Sequence, residues 1–290
     1  MPLVYACIAP HGGEIVPVLA GKKPRLFKYT RDAMKSLASR MERSKPDTIV
    51  IASPHNIRLH RHVGVVTAEN SSGTVSAGKK TIRLGTKCDV DFARTLIEAA
   101  ERSGVPVVGA NYGTNEGPLS DLAMDWGTLI PLWFFLRGTG LNSKVVIVTP
   151  SRGLPLRANF EFGRVMARAA EAGGKRIAFV ASADQAHAHS RSGPYGFSPS
   201  AAKYDELVIR AINSGTLNSI VELEAGFIDE AKPDSPWQIS MLAGALSEVS
   251  MEGEVLSYEV PTYYGLLCAS YSRKSKTPSR PVILGQSTSP

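Results

Sequence analysis

The stretch DTIVIASPHN, residues 47–56, decides the fold. Its run TIVIA has strand length and carries no charged residue on either face, so it reads as a strand buried on both sides. The run stops at Ser-Pro-His. The chain opens on the same design: VYACIAPHGG, residues 4–13, is again an apolar run broken by Pro-His. In open α/β sheets, ligands bind beyond the carboxyl ends of the strands. The pattern therefore places His11 and His55 on one rim.

Working outward, further runs of the same kind are VGVVTA (63–68), VPVVGA (105–110), KVVIVTP (144–150), RIAFVASA (176–183), EVLSYEV (254–260) and YYGLLCASY (263–271). Helical patterns lie between many of them, at 30–44, 89–104, 159–174 and 201–215, and several close on glycine, as helix C-termini commonly do. Strands alternating with helices imply crossover units and a sheet covered on both faces. The fold class expected is α/β: a single three-layer α/β/α domain with a mainly parallel central sheet. It spans 1–271, and a flexible Ser/Pro-rich tail occupies 272–290.

The chain has 290 residues, 43% hydrophobic and 20% charged, ample material for a globular core. No apolar run approaches the ~20 residues that cross a bilayer, and the N-terminus lacks the basic and apolar segments of a signal peptide. The expected location is the cytoplasm, with no membrane partner. Cys7, Cys88 and Cys268 are widely spaced, which argues against a disulfide framework or a zinc knot. The net charge of +7 is scattered over KKPR (22–25), KK (79–80) and RKSKTPSR (273–280). It forms no clustered nucleic-acid footprint and suits a surface that attracts small anions. Neither GxGxxG nor GxxxxGK[ST] is present, so the phosphate cradles of nucleotide folds are missing. Glu14, after the two glycines, would also repel a phosphate.

The six histidines are His11, His55, His60, His62, His187 and His189. His11 precedes Gly12-Gly13, where missing side chains allow a ligand close to the backbone. Neutral imidazole is the commonest protein ligand of mid-row divalent metals, so His11 and His55 read as a metal pair. His60 and His62 alternate toward a strand and read as surface or edge residues. In VASADQAHAHSRSGPYGFSP (180–199), two histidines follow a strand and precede a Gly-Pro-Tyr-Gly turn. Proline and glycine define such a loop, and a defined loop bearing imidazoles suits general acid–base work.

Taken in order, PHGG, SPHN, DWGTLIPLWFF (125–135), SADQAHAH…GPYGF (182–197) and DEAKPDSPWQISMLAGAL (229–246) resemble the class III (LigB-type) extradiol ring-cleaving dioxygenase superfamily, catalytic B subunit. The resemblance covers about 11–270. It implies Fe(II) held by two histidines, matching His11 and His55, and by one carboxylate, with Asp234 first and Glu230 as the alternative. It implies His187 as acid–base residue, with His189 as its neighbour in the pocket. The chemistry implied is insertion of O₂ into a catechol or aminophenol ring with ring opening. Homo-oligomers and a small second subunit are also features of the family. Many members carry Asp-His-Gly where this chain has Asp125-Trp126-Gly127; an indole cannot accept a proton, and His189 is the substitute imidazole expected here.

Tyr112, Trp126 and Tyr195 are candidate aromatic walls for a flat ring. Asn56 is placed to orient a ligand by hydrogen bonding, and Arg152 to pair with a substrate carboxylate. Two other readings stay open from the sequence: a Zn²⁺ hydrolase using the same ligands, and a non-catalytic metal-binding relative.

Overall fold

The computed structural model describes residues 2–21 and 25–273. Residues 274–290, most of the expected tail, and 22–24 of the KKPR stretch lie outside the described residues; Ser272, taken as the start of the tail, closes the last strand instead. In chain order the elements are β1 (Leu3–Ala9), α1 (Lys28–Ser44), β2 (Thr48–Ala52), β3 (Val63–Val66), β4 (Asn70–Ala77), β5 (Lys80–Lys87), α2 (Val90–Arg102), β6 (Val107–Ala110), β7 (Asp121–Ala123), α3 (Trp126–Arg137), β8 (Lys144–Thr149), α4 (Leu156–Ala172), β9 (Ile177–Ser182), α5 (Pro199–Ser214), α6 (Ala225–Ala231), α7 (Pro236–Ser247), β10 (Glu252–Glu259) and β11 (Leu266–Ser272).

Eight strands form the central sheet in the order β10-β11-β1-β9-β2-β8-β3-β6. β1, β9, β2 and β8 run parallel to one another, and β3 runs parallel to β6; the β1–β11, β10–β11 and β3–β8 pairings are antiparallel. The sheet is thus mainly parallel, as expected. Every residue of β2 and β9 is buried. The two-residue period of a strand divides their side chains between two cores. Val50 and Ala52 face α2, α4, α5 and α7, while Ile49 and Ile51 face α1 and α3. These are the three layers.

Two features go beyond the sequence expectation. β4 and β5 form a hairpin that joins β7 in a separate three-stranded sheet. Its residues are mostly polar, so no apolar run marked it; Gly78, at φ +60, takes the turn conformation that suits glycine. The other is α3, apolar on nearly every side and buried from Gly127 to Leu132. A helix enclosed all round has no polar stripe, so periodicity does not reveal it. Among the described residues, no helix is long and apolar enough to cross a membrane.

Candidate metal centre

His11 lies two residues past β1, His55 three past β2, and Asp184 two past β9. The parallel register of these adjacent strands brings all three to one edge. Asp234 arrives from the far end of the chain. Lys232 turns the chain at φ 54 after α6, and Pro236 opens α7 with its φ already suited to a helix. Asp234 is held between these two points. Ser235 binds the Tyr204 hydroxyl at 2.7 Å, and Gln238 donates to the Ser182 carbonyl at 2.9 Å, which anchors the start of α7.

Three potential ligand atoms converge. His11 Nε2 and His55 Nε2 are 3.1 Å apart, and they lie 3.1 and 3.2 Å from Asp234 Oδ2. Ligands ~2.1 Å from one ion stand ~3.0 Å apart at right angles and ~3.4 Å apart at the tetrahedral angle. The observed triangle, with sides of 3.1–3.2 Å, falls between these values and suits three ligands of one ion. His11, His55 and Asp234 could therefore hold a metal ion, and so could Asp184, His187 and Asp234.

His11 is oriented by a chain of bonds that starts in the sequence. Pro131, inside α3, has no N–H to give to the Gly127 carbonyl four residues earlier. That carbonyl accepts the Ser182 hydroxyl instead. The Ser182 oxygen is then free to accept His11 Nδ1–H at 2.9 Å, which aims the Nε2 lone pair at the triangle. Asp184 fixes the backbone, accepting His11 N–H at 2.9 Å.

The electrostatics suit a cation. Burial works against charge on His11, but Asp184 and Asp234 outweigh it and push the imidazole up to about 9. A proton thus occupies Nε2 until a cation competes for the same lone pair. Burial likewise works against charge on Asp234, but the neighbouring His11 charge and the hydrogen bonds from His11 and His55 hold it well below the usual carboxylate range. Burial pushes the Asp184 carboxyl up. Asp234 Oδ1 and His187 Nδ1 are buried with no hydrogen-bond partner, so the centre keeps unmet polar atoms.

The other predicted residues fall into two groups. Trp126 stacks on His55, ring centroids 4.1 Å apart and planes at 24°. Gly127 makes room for that contact, because a Cβ there would lie 2.6 Å from Ser53 Oγ and 3.3 Å from the His55 ring. His187 stacks on Tyr264 at 5.4 Å and meets Tyr195 edge-on at 5.5 Å. Arg152 lies over the Trp237 ring, at the start of α7.

Four residues are engaged elsewhere or stand apart. His189 Nε2 lies 2.8 Å from Asp205 Oδ2, which also accepts the Tyr258 hydroxyl, so this imidazole is bonded away from the triangle. Glu230 accepts from Ser200 Oγ at 2.6 Å rather than joining the triangle. Asn56 donates to Asp125, which caps α3, so it braces the loop that carries His55. Tyr112 is exposed, and its ring contacts no partner ring among the described residues. Gly12 also differs from expectation: the Tyr264 hydroxyl fills the space where a ligand was expected, 2.5 Å from a would-be Cβ.

Ser182, Tyr263 and Tyr264 belong to the site but were not singled out in the sequence. For Ser182 the available signal is its place at the end of a rim-directed strand, two residues before Asp184.

The sequence profile of the family described as catalytic LigB subunit of aromatic ring-opening dioxygenase matches residues 5–267. Protein CA_C1420 of Clostridium acetobutylicum is 22% identical over 253 residues, which is 87% of this chain and 54% of that protein. The chain thus spans about half the length of that relative. The crystal structure of the uncharacterized protein JW3007 from Escherichia coli K12 superposes with a TM-score of 0.59 at 18% identity, covering 92% of this chain and 99% of that one. It shares the fold.

Proposed function

The chain belongs to the LigB family of catalytic subunits of aromatic ring-opening dioxygenases, and from that premise we propose that it is an Fe(II)-dependent extradiol dioxygenase acting on a catechol or aminophenol. The observation that carries this reading is the triangle of His11, His55 and Asp234. Two imidazoles and one carboxylate on one face are the ligand set of non-haem iron oxygenases, and they leave the opposite face open.

When bound, the ferrous ion supplies a Lewis acid and a one-electron donor that brings the ring substrate and O₂ together. The chain's own groups do the rest. Ser182 and Asp184 hold His11 in the ligating orientation. Trp126 covers the outer face of His55 and excludes water from it. His187, stacked on Tyr264 and with Nδ1 unpartnered, takes a proton from a ring hydroxyl and returns it as the ring opens. Tyr195 and Tyr263 wall the same pocket.

Metal analysis of protein purified without air, paired with oxygen uptake in the presence of catechol and 2-aminophenol, tests the reading. About one iron per chain with substrate-dependent uptake is expected. Stoichiometric zinc, or iron with no uptake across diols and aminophenols, would overturn it.

A further inference from the structure

A second group of ligand atoms lies beside the triangle. Asp184, His187 and Asp234 each bring one such atom within 4.8 Å of the others. Asp234 is common to both groups. Its Oδ2 faces His11 and His55, while its Oδ1 is buried with no hydrogen-bond partner. His187 Nδ1 is buried and unpartnered as well. Asp184 gives Oδ1 to the His11 N–H, and its Oδ2 lies 3.4 Å from His11 Nε2. Buried polar atoms ordinarily have partners, so two orphans in one cluster mark room for a ligand.

The backbone holds this second group in place before any ion arrives. Gln185 N–H donates to the Gly265 carbonyl at 2.8 Å, and Gly265 N–H returns a bond to the Ala186 carbonyl at 3.0 Å. Gly265 sits so close that a Cβ would lie 3.0 Å from the Gln185 side chain and 2.2 Å from Asp205 Oδ2. Ala186 N–H donates to Asp205 Oδ1 at 2.9 Å. His187 N–H donates to the Ala231 carbonyl at 3.2 Å, one residue before the turn at Lys232 that carries Asp234 inward. The segments bearing Asp184, His187 and Asp234 are thus tied to one another, and little ordering remains to oppose binding.

Charge makes this position the weaker of the two. The first divalent ion already matches the two carboxylates, Asp184 and Asp234. Ions that share a carboxylate stand about 3.5–4 Å apart and repel. A cation on His187 must also displace a proton. Among divalent ions that suit imidazole and carboxylate, Zn²⁺ binds such sites more tightly than Fe²⁺ and carries no redox chemistry.

We propose that a second divalent cation, with Zn²⁺ well suited, binds Asp184, His187 and Asp234 beside the first, bridged to it by Asp234, and inhibits the protein by occupying the His187 lone pair that receives the ring proton. The inhibition rests on the acid–base role of His187 in the ring-cleaving reading; the occupancy does not.

Equilibrium dialysis of iron-loaded protein against Zn²⁺, without air, tests the occupancy by counting both metals. One iron and one zinc per chain are expected. Asp184→Asn keeps an oxygen to accept the His11 N–H but loses the charge. It and His187→Ala should each weaken zinc uptake at least about 10-fold while iron stays near one per chain. Two equivalents of Mn²⁺ in the metal-free parent should give the electron paramagnetic resonance signal of a coupled pair. Oxygen uptake with catechol should fall in step with zinc occupancy, and return when a chelator removes zinc with iron still bound. Zinc that replaces iron one for one overturns the second position, because the five groups then hold a single ion. Equal zinc uptake by the parent and both variants also overturns it, and marks an adventitious surface ion. Two metals bound with undiminished oxygen uptake overturn the inhibition. Iron-only protein with no uptake on any diol or aminophenol overturns the ring-cleaving reading and the inhibition with it, while the metal count still decides the second position.

Discussion

Asp89 and Asp234 are both buried carboxylates, at opposite ends of the central strands, and they differ in what balances them. Asp89 caps α2 through the Phe92 N–H, accepts the Thr48 hydroxyl, and pairs with Lys175 Nζ at 2.6 Å. Its cation belongs to the chain. Asp234 faces two imidazoles with its Oδ2, and its Oδ1 has no partner. At the first end the charge is met by a side chain and the result is architecture. At the second the chain supplies ligand atoms that could hold a cation from solution in place of the His11 proton. A buried carboxylate is therefore informative about function only once its partners have been examined.

The contrast can be broken by mutation, and the largest effect should come from the second end. His187→Ala should lower turnover about 10²- to 10⁴-fold while iron content stays near that of the parent. His11→Ala should do the reverse and lose the iron first. Metal analysis beside steady-state oxygen uptake separates the two, and equal iron loss in both would show that His187 is a ligand and not an acid–base group.

Asp89→Ala should act on stability alone. It leaves the Lys175 ammonium and Thr48 without their acceptor and should cost about 2–3 kcal/mol, reduced from the range for fully buried pairs because Lys175 is partly exposed. Urea midpoints should fall by the same amount with and without divalent metal. Burial opposes the charge of Asp89, but the bonds from Lys175, Thr48 and Phe92 hold its carboxyl below the ordinary value. A lowered folded-state value means the stabilisation is full above the unfolded value, near ~3.9, and fades as the pH falls through the folded one. The gap between the parent and Asp89→Asn should accordingly be constant from neutral pH down to about 5 and close below about 4. A gap that widens on acidification would contradict the assignment.

Ser182→Ala should weaken metal binding by about 10- to 100-fold, the usual consequence of losing the group that orients a ligating imidazole. A competition titration against a coloured chelator reads this directly, and an unchanged affinity would mean that Ser182 does not set the His11 tautomer. Trp126→Ala should have the smallest effect. The indole is half exposed, so losing its stack on His55 should lower stability by about 0.5–1.5 kcal/mol, seen as a small drop in Tm.

Much of the molecule is written in local sequence. Strand-length apolar runs fix β1, β2, β8 and β9 because only a strand covered on both faces uses such residues, and the breaks at Pro-His set where the rim lies. The ordered motifs also point to His187. Helical periodicity located α1, α2, α4 and α5, but it was blind to α3, whose enclosure removes the polar stripe that periodicity needs. The polar β4–β5 hairpin was hidden for the opposite reason.

Which carboxylate meets the histidines was decided by tertiary structure alone. Asp234 and Glu230 are four residues apart, and spacing does not distinguish them. The left-handed turn at Lys232 and the start of α7 carry Asp234 inward, while Glu230 is bonded to Ser200. His189 differs from His187 in the same way, its ring bonded to Asp205. Sequence dictates which residues can bear chemistry and which strands form, because those depend on neighbours along the chain. Convergence of side chains from strands and a helix far apart in sequence depends on how the packed layers register, and no local pattern encodes that.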